Sequence, residues 1–184
     1  MTPTIAGENV ALRPIIPDDY PLLVKWTLDP DVGRFLDGDY PRSLADCPAW
    51  HQKIRSDRHR QVFGIELLNG LLIGDIELDH IAWRSGDGEL RVRIGEKAQW
   101  GKGYGSEAVT LLLAYAFGSL NLRRVYLRVF AANERAVRCY RRVGFRQEGF
   151  LVRRTGESDR REVILMRMWR KEFLRRHPER ARAS

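Results

Sequence analysis

Apolar residues recur along this chain at two spacings, and the switches between them mark out its elements. Asn9 to Ile15 (NVALRPI) alternates well enough for a first strand, which Pro14 and Pro17 close. Asp18 and Asp19 then stand where a helix N-terminus favours acids, and Leu22, Leu23 and Trp26 predict one short helix. Asp29 to Pro48, rich in Pro, Gly and Asp, reads as an irregular connection carrying the aromatics Phe35 and Tyr40. Ser43 is placed to cap a second helix through Trp50 and Ile54. Gln61 to Leu68 and Leu71 to Ile81 are β-type runs around Asn69-Gly70, the strongest short hairpin signal. Glu89 to Gly95 (ELRVRIG) alternates strictly, with Leu90, Val92 and Ile94 on one face and Glu89, Arg91 and Arg93 on the other.

The spacing then changes. Val109, Leu112, Leu113, Ala116, Phe117 and Leu120 form the apolar stripe of an amphipathic helix. Arg124 to Phe130 is another strand and Ala131 to Val143 another helix, with Gly144 at a left-handed C-cap and Phe145 ready for the capping contact. Phe145 to Arg153 and Glu162 to Met168 are the final strands. Strand, helices, three antiparallel strands, then α, β, α, β, β predict an α+β fold: one mixed, mostly antiparallel sheet with helices on its faces. A single domain over residues 1–184 is expected from length and from the lack of repeats.

Composition narrows the classes. No apolar run approaches the roughly eighteen residues of a membrane span, and MTPTIAGENVALRP lacks a signal peptide's basic and apolar regions. Two cysteines, Cys47 and Cys139, are too few for a disulfide framework, so the reading is a cytoplasmic protein. Cys47 and His51 lie four apart without a second pair, and no metal is expected. The net charge of +8 points toward nucleic acid until its distribution is read. Arg167 to Ser184 holds seven Lys/Arg against two Glu, so this tail carries most of the excess. From about residue 170 it reads as a solvated basic helical end, and nucleic acid is not the expected partner.

Candidate chemistry centres on Gln99 to Leu120 (QWGKGYGSEAVTLLLAYAFGSL), where Gly101, Gly103 and Gly105 alternate with Lys102 and Tyr104 before the helix. Glycines let the backbone turn tightly and bring its N–H groups close to a ligand. Unpaired N–H groups and the positive dipole end then make an anion site. The nucleotide P-loop is excluded because no Lys-Ser or Lys-Thr follows the glycines. The dinucleotide fingerprint is excluded because Ser106 takes its third glycine's place.

WGKGYGSEA followed by NERAVRCYRRVGFRQEG resembles the GNAT superfamily of N-acetyltransferases, and within it the ribosomal-protein N-terminal (RimJ/RimL) type. The resemblance runs from the opening LRP to the last strand. It implies the GNAT fold, with the sheet splayed between the fourth and fifth strands of this reading, and acetyl-coenzyme A as cosubstrate. The donor's pyrophosphate is then expected on Trp100, Gly101, Lys102, Gly103, Tyr104, Gly105 and Ser106. Asn133 and Tyr140 are expected beside the thioester, and a backbone N–H near Ile94 and Gly95 is expected to meet the oxyanion. Trp100 stands where the superfamily often has Gln or Arg, with Gln99 one place earlier, and Trp there is usual for the RimJ/RimL type. Arg128 occupies the place where some protein N-terminal acetyltransferases carry a glutamate base, so no base is carried over.

The residues themselves add the roles. Asn133 and Tyr140 are seven apart and share one helical face, Asn133 also suiting the N-cap and Tyr140 also suiting the core beside Val137 and Val143. A phenol with an unperturbed pKa of about 10 is a fitting proton donor to a departing thiolate. Cys139 reads as a packing residue. Asp75, Glu77 and Asp79 alternate on one strand, with Glu89 on the next, and read as the polar face of a half-solvated sheet. The expected activity is transfer of an acetyl group from acetyl-coenzyme A to a primary amine, on a protein N-terminus or a small molecule. The alternatives are a non-catalytic acyl-CoA sensor, or a polyamine or antibiotic-amine acetyltransferase rather than a protein-modifying one. A homodimer is an allowed assembly. The acceptor is expected between Asp29–Pro48 and the Phe150–Glu162 turn.

Overall fold

The computed structural model describes residues 3–36, 38–154 and 160–179. The eight strands are β1 (Ile5–Ala6), β2 (Val10–Arg13), β3 (Gln61–Leu67), β4 (Leu72–Ala82), β5 (Asp87–Ile94), β6 (Arg124–Phe130), β7 (Arg146–Arg154) and β8 (Arg160–Trp169). They form one sheet in the order β1-β2-β3-β4-β5-β6-β8-β7, as the mixed α+β reading requires. Every neighbouring pair is antiparallel except β5 and β6. The Asn69-Gly70 turn joins β3 to β4, with Gly70 at φ +85° and the Asn69 side chain accepting from Leu71 N–H at 3.1 Å. The parallel pair runs from Asp87 opposite Arg124 to Glu89 opposite Tyr126 and goes no further. That is the expected splay, between the fifth and sixth strands because the two-residue β1 precedes the others.

The helices are α1 (Tyr20–Leu28), α2 (Pro30–Gly33), α3 (Cys47–Ser56), α4 (Tyr104–Gly118), α5 (Glu134–Val143) and α6 (Arg170–Arg176). On one face of the sheet α4 buries Val109, Leu112, Leu113, Ala116 and Phe117 against Val10, Phe63, Ile76, Leu78 and Val125. Each such side chain contributes about 1.5–3 kcal/mol by leaving water. On the other face Leu23, Trp26, Trp50 and Ile54 of α1 and α3 form a smaller core with Ile15 and Leu72. The reciprocal Ser43–Asp46 turn starts α3, with Asp46 N–H on Ser43 Oγ at 3.3 Å and Ser43 N–H on Asp46 Oδ2 at 3.0 Å. The Asp29–Pro48 connection is less irregular than expected, since Asp29 caps α2 by accepting from Asp31 N–H and Val32 N–H.

Two expectations are corrected here. The alternating charges of β4 and β5 are not half-solvated: Asp75, Glu77, Glu89 and Arg93 are each no more than 5% exposed. The Asp29–Pro48 connection and α1 cover them, with Tyr40 lying 4.4 Å from the Arg93 guanidinium and Trp26 5.6 Å from it. Four carboxylates meet four arginines beneath that cover. Asp75 pairs with Arg93 at 2.6 Å and Glu77 with Arg60 at 2.7 Å. Arg91 reaches Glu77, Asp79 and Glu89, and Arg128 reaches Glu89 at 2.8 Å. Period-two polarity has the same look whether water or a matched set of charges covers it.

The second correction concerns the tail. Arg170–Arg176 is a helix whose Phe173 is 1% exposed and sits 5.5 Å from Phe117 by ring centroids. Glu172 accepts from Trp169 N–H and pairs with Arg167 at 2.6 Å. The stretch up to His177 is part of the packed structure, while residues 180–184 lie outside the described residues. A chain ending at Lys171 therefore loses a core aromatic, which costs ~3–5 kcal/mol. Its urea midpoint should fall well below that of the full chain, and equal midpoints would place Phe173 outside the core.

Candidate active site

The glycine loop adopts conformations that other residues resist. Gly101 lies at φ +78° and Gly103 at φ +90°, and Gly103 is the N-cap of α4. An L side chain there costs ~1–2 kcal/mol, which is why glycine occupies both places. Glu107 N–H is the first to find a helical partner, on Gly103 C=O at 3.1 Å. The N–H groups of Tyr104, Gly105 and Ser106 precede it in the first turn, at the positive end of a fifteen-residue helix. Tyr104 and Gly105 are thus in the helix and not in the loop before it. The charge of Glu107 is directed away from this anion site: its carboxylate accepts from the N–H groups of Glu8, Asn9 and Val10, tying α4 to β2.

The loop opens on a cleft of about 260 Å³ that enters the splay between β5 and β6. Ile94, Trp100, Gly101, Gly103, Tyr104, Gly105, Ser106, Asn133 and Tyr140 all line it, as expected. Gly95 and Lys102 do not line it. Gly95 N–H is bonded to Ile73 C=O at 2.8 Å within the sheet, and a Cβ there would meet the Trp26 ring at 2.0 Å. Its glycine serves the packing of α1. Lys102 turns outward to Gln99 Oε1 at 3.0 Å. Because successive strand residues point their N–H groups to opposite sides, the Gly95 bond to β4 turns the N–H groups of Val92 and Ile94 toward the opening. The Ile94 C=O on that side accepts from the Trp100 indole at 2.7 Å, so the tryptophan closes the open strand edge.

Among the cleft residues that escaped the sequence reading are three arginines. Arg135, Arg138 and Arg142 on α5 are spaced i, i+3, i+7 and line the same cleft, facing the glycine loop. The Arg135 guanidinium lies 3.4 Å from the Trp100 ring centroid, and burial holds its pKa below the ordinary arginine value. The spacing was visible, but charged positions on a helix give no sign of whether they face water or a ligand. Glycine backbone, helix N-terminus and three arginines together fit a long polyphosphate-bearing donor.

Asn133 caps α5, its Oδ1 accepting from Ala136 N–H at 3.3 Å. Gly144 ends the helix at φ +113°, and Phe145 N–H returns to Tyr140 C=O at 2.9 Å. Tyr140 is 6% exposed, its ring 5.8 Å from Phe145, and burial raises its phenol well above the ordinary value. Cys139 beside it has a thiol raised by burial and a contact to Ser106 Oγ at 3.3 Å, in keeping with a packing role. Tyr140, Asn133, Val92, Phe35 and Leu36 also line a second cleft of about 380 Å³ on the far side of the opening. Its other walls include Tyr40, Glu89, Arg128, Leu151 and Arg153. This is the region between the Asp29–Pro48 connection and the β7–β8 turn, of which residues 155–159 lie outside the described residues.

Residues 9–146 match the model of the GNAT acetyltransferase domain. The chain belongs to the GNAT acetyltransferases. It is an acetyl-coenzyme A-dependent N-acetyltransferase. Spermidine N(1)-acetyltransferase of Escherichia coli K12 is 27% identical over 175 residues, covering 94% of this chain and 92% of that one. Aminoglycoside N(6′)-acetyltransferase type 1 of Klebsiella pneumoniae is 26% identical over 167 residues, covering 84% and 83%. The crystal structure of spermidine N-acetyltransferase from Vibrio cholerae in complex with CoA and spermine superposes with a TM-score of 0.83 at 25% identity, covering 91% and 99%. Among the described residues of the acetyltransferase, no group of three or more His, Cys, Asp or Glu is arranged to hold a metal, and no helix is long and apolar enough to cross a membrane.

The loop geometry yields a binding prediction. A Cβ on Gly105 would lie 3.7 Å from Ile94 Cγ1 and 3.8 Å from Cys139 Sγ, so the branched methyls of Gly105→Val enter the donor cleft. Calorimetry should show coenzyme A affinity falling at least ~10-fold in Gly105→Val and in Arg135→Glu, a loss of ~1.4 kcal/mol or more each. Unchanged affinity in both would move the donor elsewhere.

Proposed function

We propose that the chain is one acetyltransferase domain, its basic tail starting at about 170, that works in the cytoplasm and moves acetyl to a primary amine by direct attack. The carrying observation is that Tyr140 lines both clefts at the one place where the sheet is open. Acetyl-coenzyme A supplies an activated acyl group on a thiol leaving group. The Gly101–Ser106 backbone and the α5 arginines hold its phosphates, and Ile94, Trp100 and Asn133 line its path to the opening. The amine approaches from the far cleft. As its nitrogen bonds to the acyl carbon, the Val92 and Ile94 N–H groups face the developing oxyanion. The carbon–sulfur bond then breaks, and the thiolate takes the Tyr140 proton, which solvent replaces.

Glu89 is a poor candidate for the base because Arg128, Arg91 and His80 already lie on its two oxygens. The amine proton goes to water. Within the family, Trp100 supports the RimJ/RimL type and hence a protein N-terminus, whereas the relatives' names support a small-molecule amine. Both are primary amines, and both fit a cleft of this size.

Tyr140→Phe keeps the ring in place and removes the proton. Donor affinity should change little while kcat falls ~10²–10⁴-fold, the range of a positioned general acid. Because burial raises the phenol, Tyr140 keeps its proton through neutral pH. The kcat profile should therefore show no alkaline loss from this group below the ordinary phenol value of about 10. An unchanged kcat in the phenylalanine variant would return Tyr140 to the core and leave the proton to a different acid.

A further inference from the structure

Among the described residues, Phe35, Leu36, Val92, Asn133, Ala136 and Tyr140 line both clefts and so ring the passage between them. Val92 belongs to β5, and Asn133, Ala136 and Tyr140 succeed one another along α5 and its cap. Phe35 and Leu36 come from the connection that follows α2. Phe35 has a further place. It also lines a third hollow of about 380 Å³, which has Phe130, Ala131 and Ala132 among its other walls. No other described residue lines all three spaces. The Phe35 side chain is therefore a partition where they meet.

That partition is held in place. Leu36 N–H bonds to Gly33 C=O at 3.0 Å, which continues the turn of α2. The Phe35 ring lies 6.2 Å from the Phe130 ring, and the Arg34 guanidinium lies 5.2 Å from its centroid. Farther along, the Tyr40 ring on Arg93 docks the connection on β5.

The passage is where the acyl carbon must stand, because the thioester reaches it from the donor cleft and the amine from the far cleft. Once the amine has added, that carbon is tetrahedral and carries four groups. Three already have directions in the mechanism above. The oxygen faces the Val92 and Ile94 N–H groups, the sulfur lies toward Tyr140, and the nitrogen comes from the far cleft. The fourth group is alkyl and needs an apolar wall. The ring of six leaves Phe35 and Leu36 for it.

Resting on the acetyl-transfer reading above, we propose that Phe35, with Leu36 beside it, sets the length of acyl chain that the enzyme accepts. A methyl group fits against the Phe35 ring, and each further methylene has to displace that ring. Without the ring the same space runs into the hollow of Phe130, Ala131 and Ala132, whose apolar walls suit a longer chain. The reaction itself is the same for every chain length. A carbon–nitrogen bond forms, the carbon–sulfur bond breaks, and the coenzyme leaves as its thiol.

Calorimetry on the full chain tests this with acetyl-, propionyl- and butyryl-coenzyme A. Each affinity is taken relative to that of coenzyme A in the same protein, which cancels any general effect on the donor cleft. The natural protein should bind the butyryl thioester ~10-fold or more weakly than the acetyl one, the discrimination that extra methylenes meet in a closed pocket. In Phe35→Ala the two should come within ~3-fold of each other, because the added methylenes then reach apolar walls. Phe35→Leu should fall between, and Leu36→Ala should move the ratio in the same direction. Phe35 is only half-buried, and these two variants carry the test if Phe35→Ala does not fold. Equal binding of butyryl and acetyl thioesters by the natural protein, or a ratio unmoved in all the variants, would overturn the inference alone. Thiol release from acetyl-coenzyme A with spermidine, kanamycin and an alanyl peptide reports on the transfer reading separately. Release with none of them would overturn that reading and this inference together.

Discussion

Between β5 and β6 the parallel ladder runs from Asp87 with Arg124 to Glu89 with Tyr126 and then stops, and the site depends on that interruption. A continuous ladder would consume the N–H groups of Val92 and Ile94 and leave no passage between the two faces. The flanking pairs keep the opening from collapsing, since β5 is held to β4 as far as Ile94 and β6 is held to β8 along its whole length. Trp100 satisfies the Ile94 carbonyl that the missing neighbour leaves over. The ends of two helices then meet there. The first turn of α4, with its N–H groups, and Tyr140 of α5 both line the cleft at that gap, and in the mechanism proposed above the one meets the donor's charge and the other gives up the proton.

The covered ion network supports the same opening from behind. Burial pushes the Asp75 and Glu77 carboxyls up, against the pull of Arg93 and Arg60. Buried pairs of this kind are weak sources of stability, because desolvation offsets most of their attraction. Their geometry explains more than their energy does. Arg93 is fixed by Asp75 and by Thr27 Oγ1 at 2.9 Å, lines the donor cleft, and carries the Tyr40 ring on its other side. The Asp29–Pro48 connection is thereby docked on β5, with Phe35 and Leu36 as a wall common to both clefts.

Much of this was legible in the sequence, for reasons that also explain what was not. Asn69-Gly70, the α4 stripe and Gly144 each carry a local steric signal, and the hairpin, the helix and its neighbour's C-cap formed where those signals lie. The glycines at 101, 103 and 105 were read as a tight turn; Gly101 and Gly103 adopt positive φ, while Gly105 lies within α4. Tyr140 and Asn133 were singled out through the family resemblance, and their seven-residue spacing agrees with both lining the cleft beside the glycine loop. By contrast, Asp75, Glu77 and Glu89 were read as solvated because alternation records which face is polar and not what covers it. Phe173 was passed over because one phenylalanine in a run of arginines makes no stripe, and only tertiary contact with Phe117 shows its place.

Donor and acceptor ends are encoded differently, which is why family membership informs one more than the other. In the proposed mode the donor is gripped largely by backbone N–H groups, and those need only glycines and a helix start, a pattern short enough to survive at low identity. The far cleft, where the proposed acceptor would sit, is lined by side chains from β5, β6, β7 and the Asp29–Pro48 connection, which are far apart in sequence. Arg128 shows the consequence. Its backbone keeps the β6 register opposite Leu165, as any residue there would, while its side chain neutralises the one described carboxylate of the acceptor cleft. Relatives that share this fold can therefore differ in the amine they act on, as the spermidine and aminoglycoside acetyltransferases do.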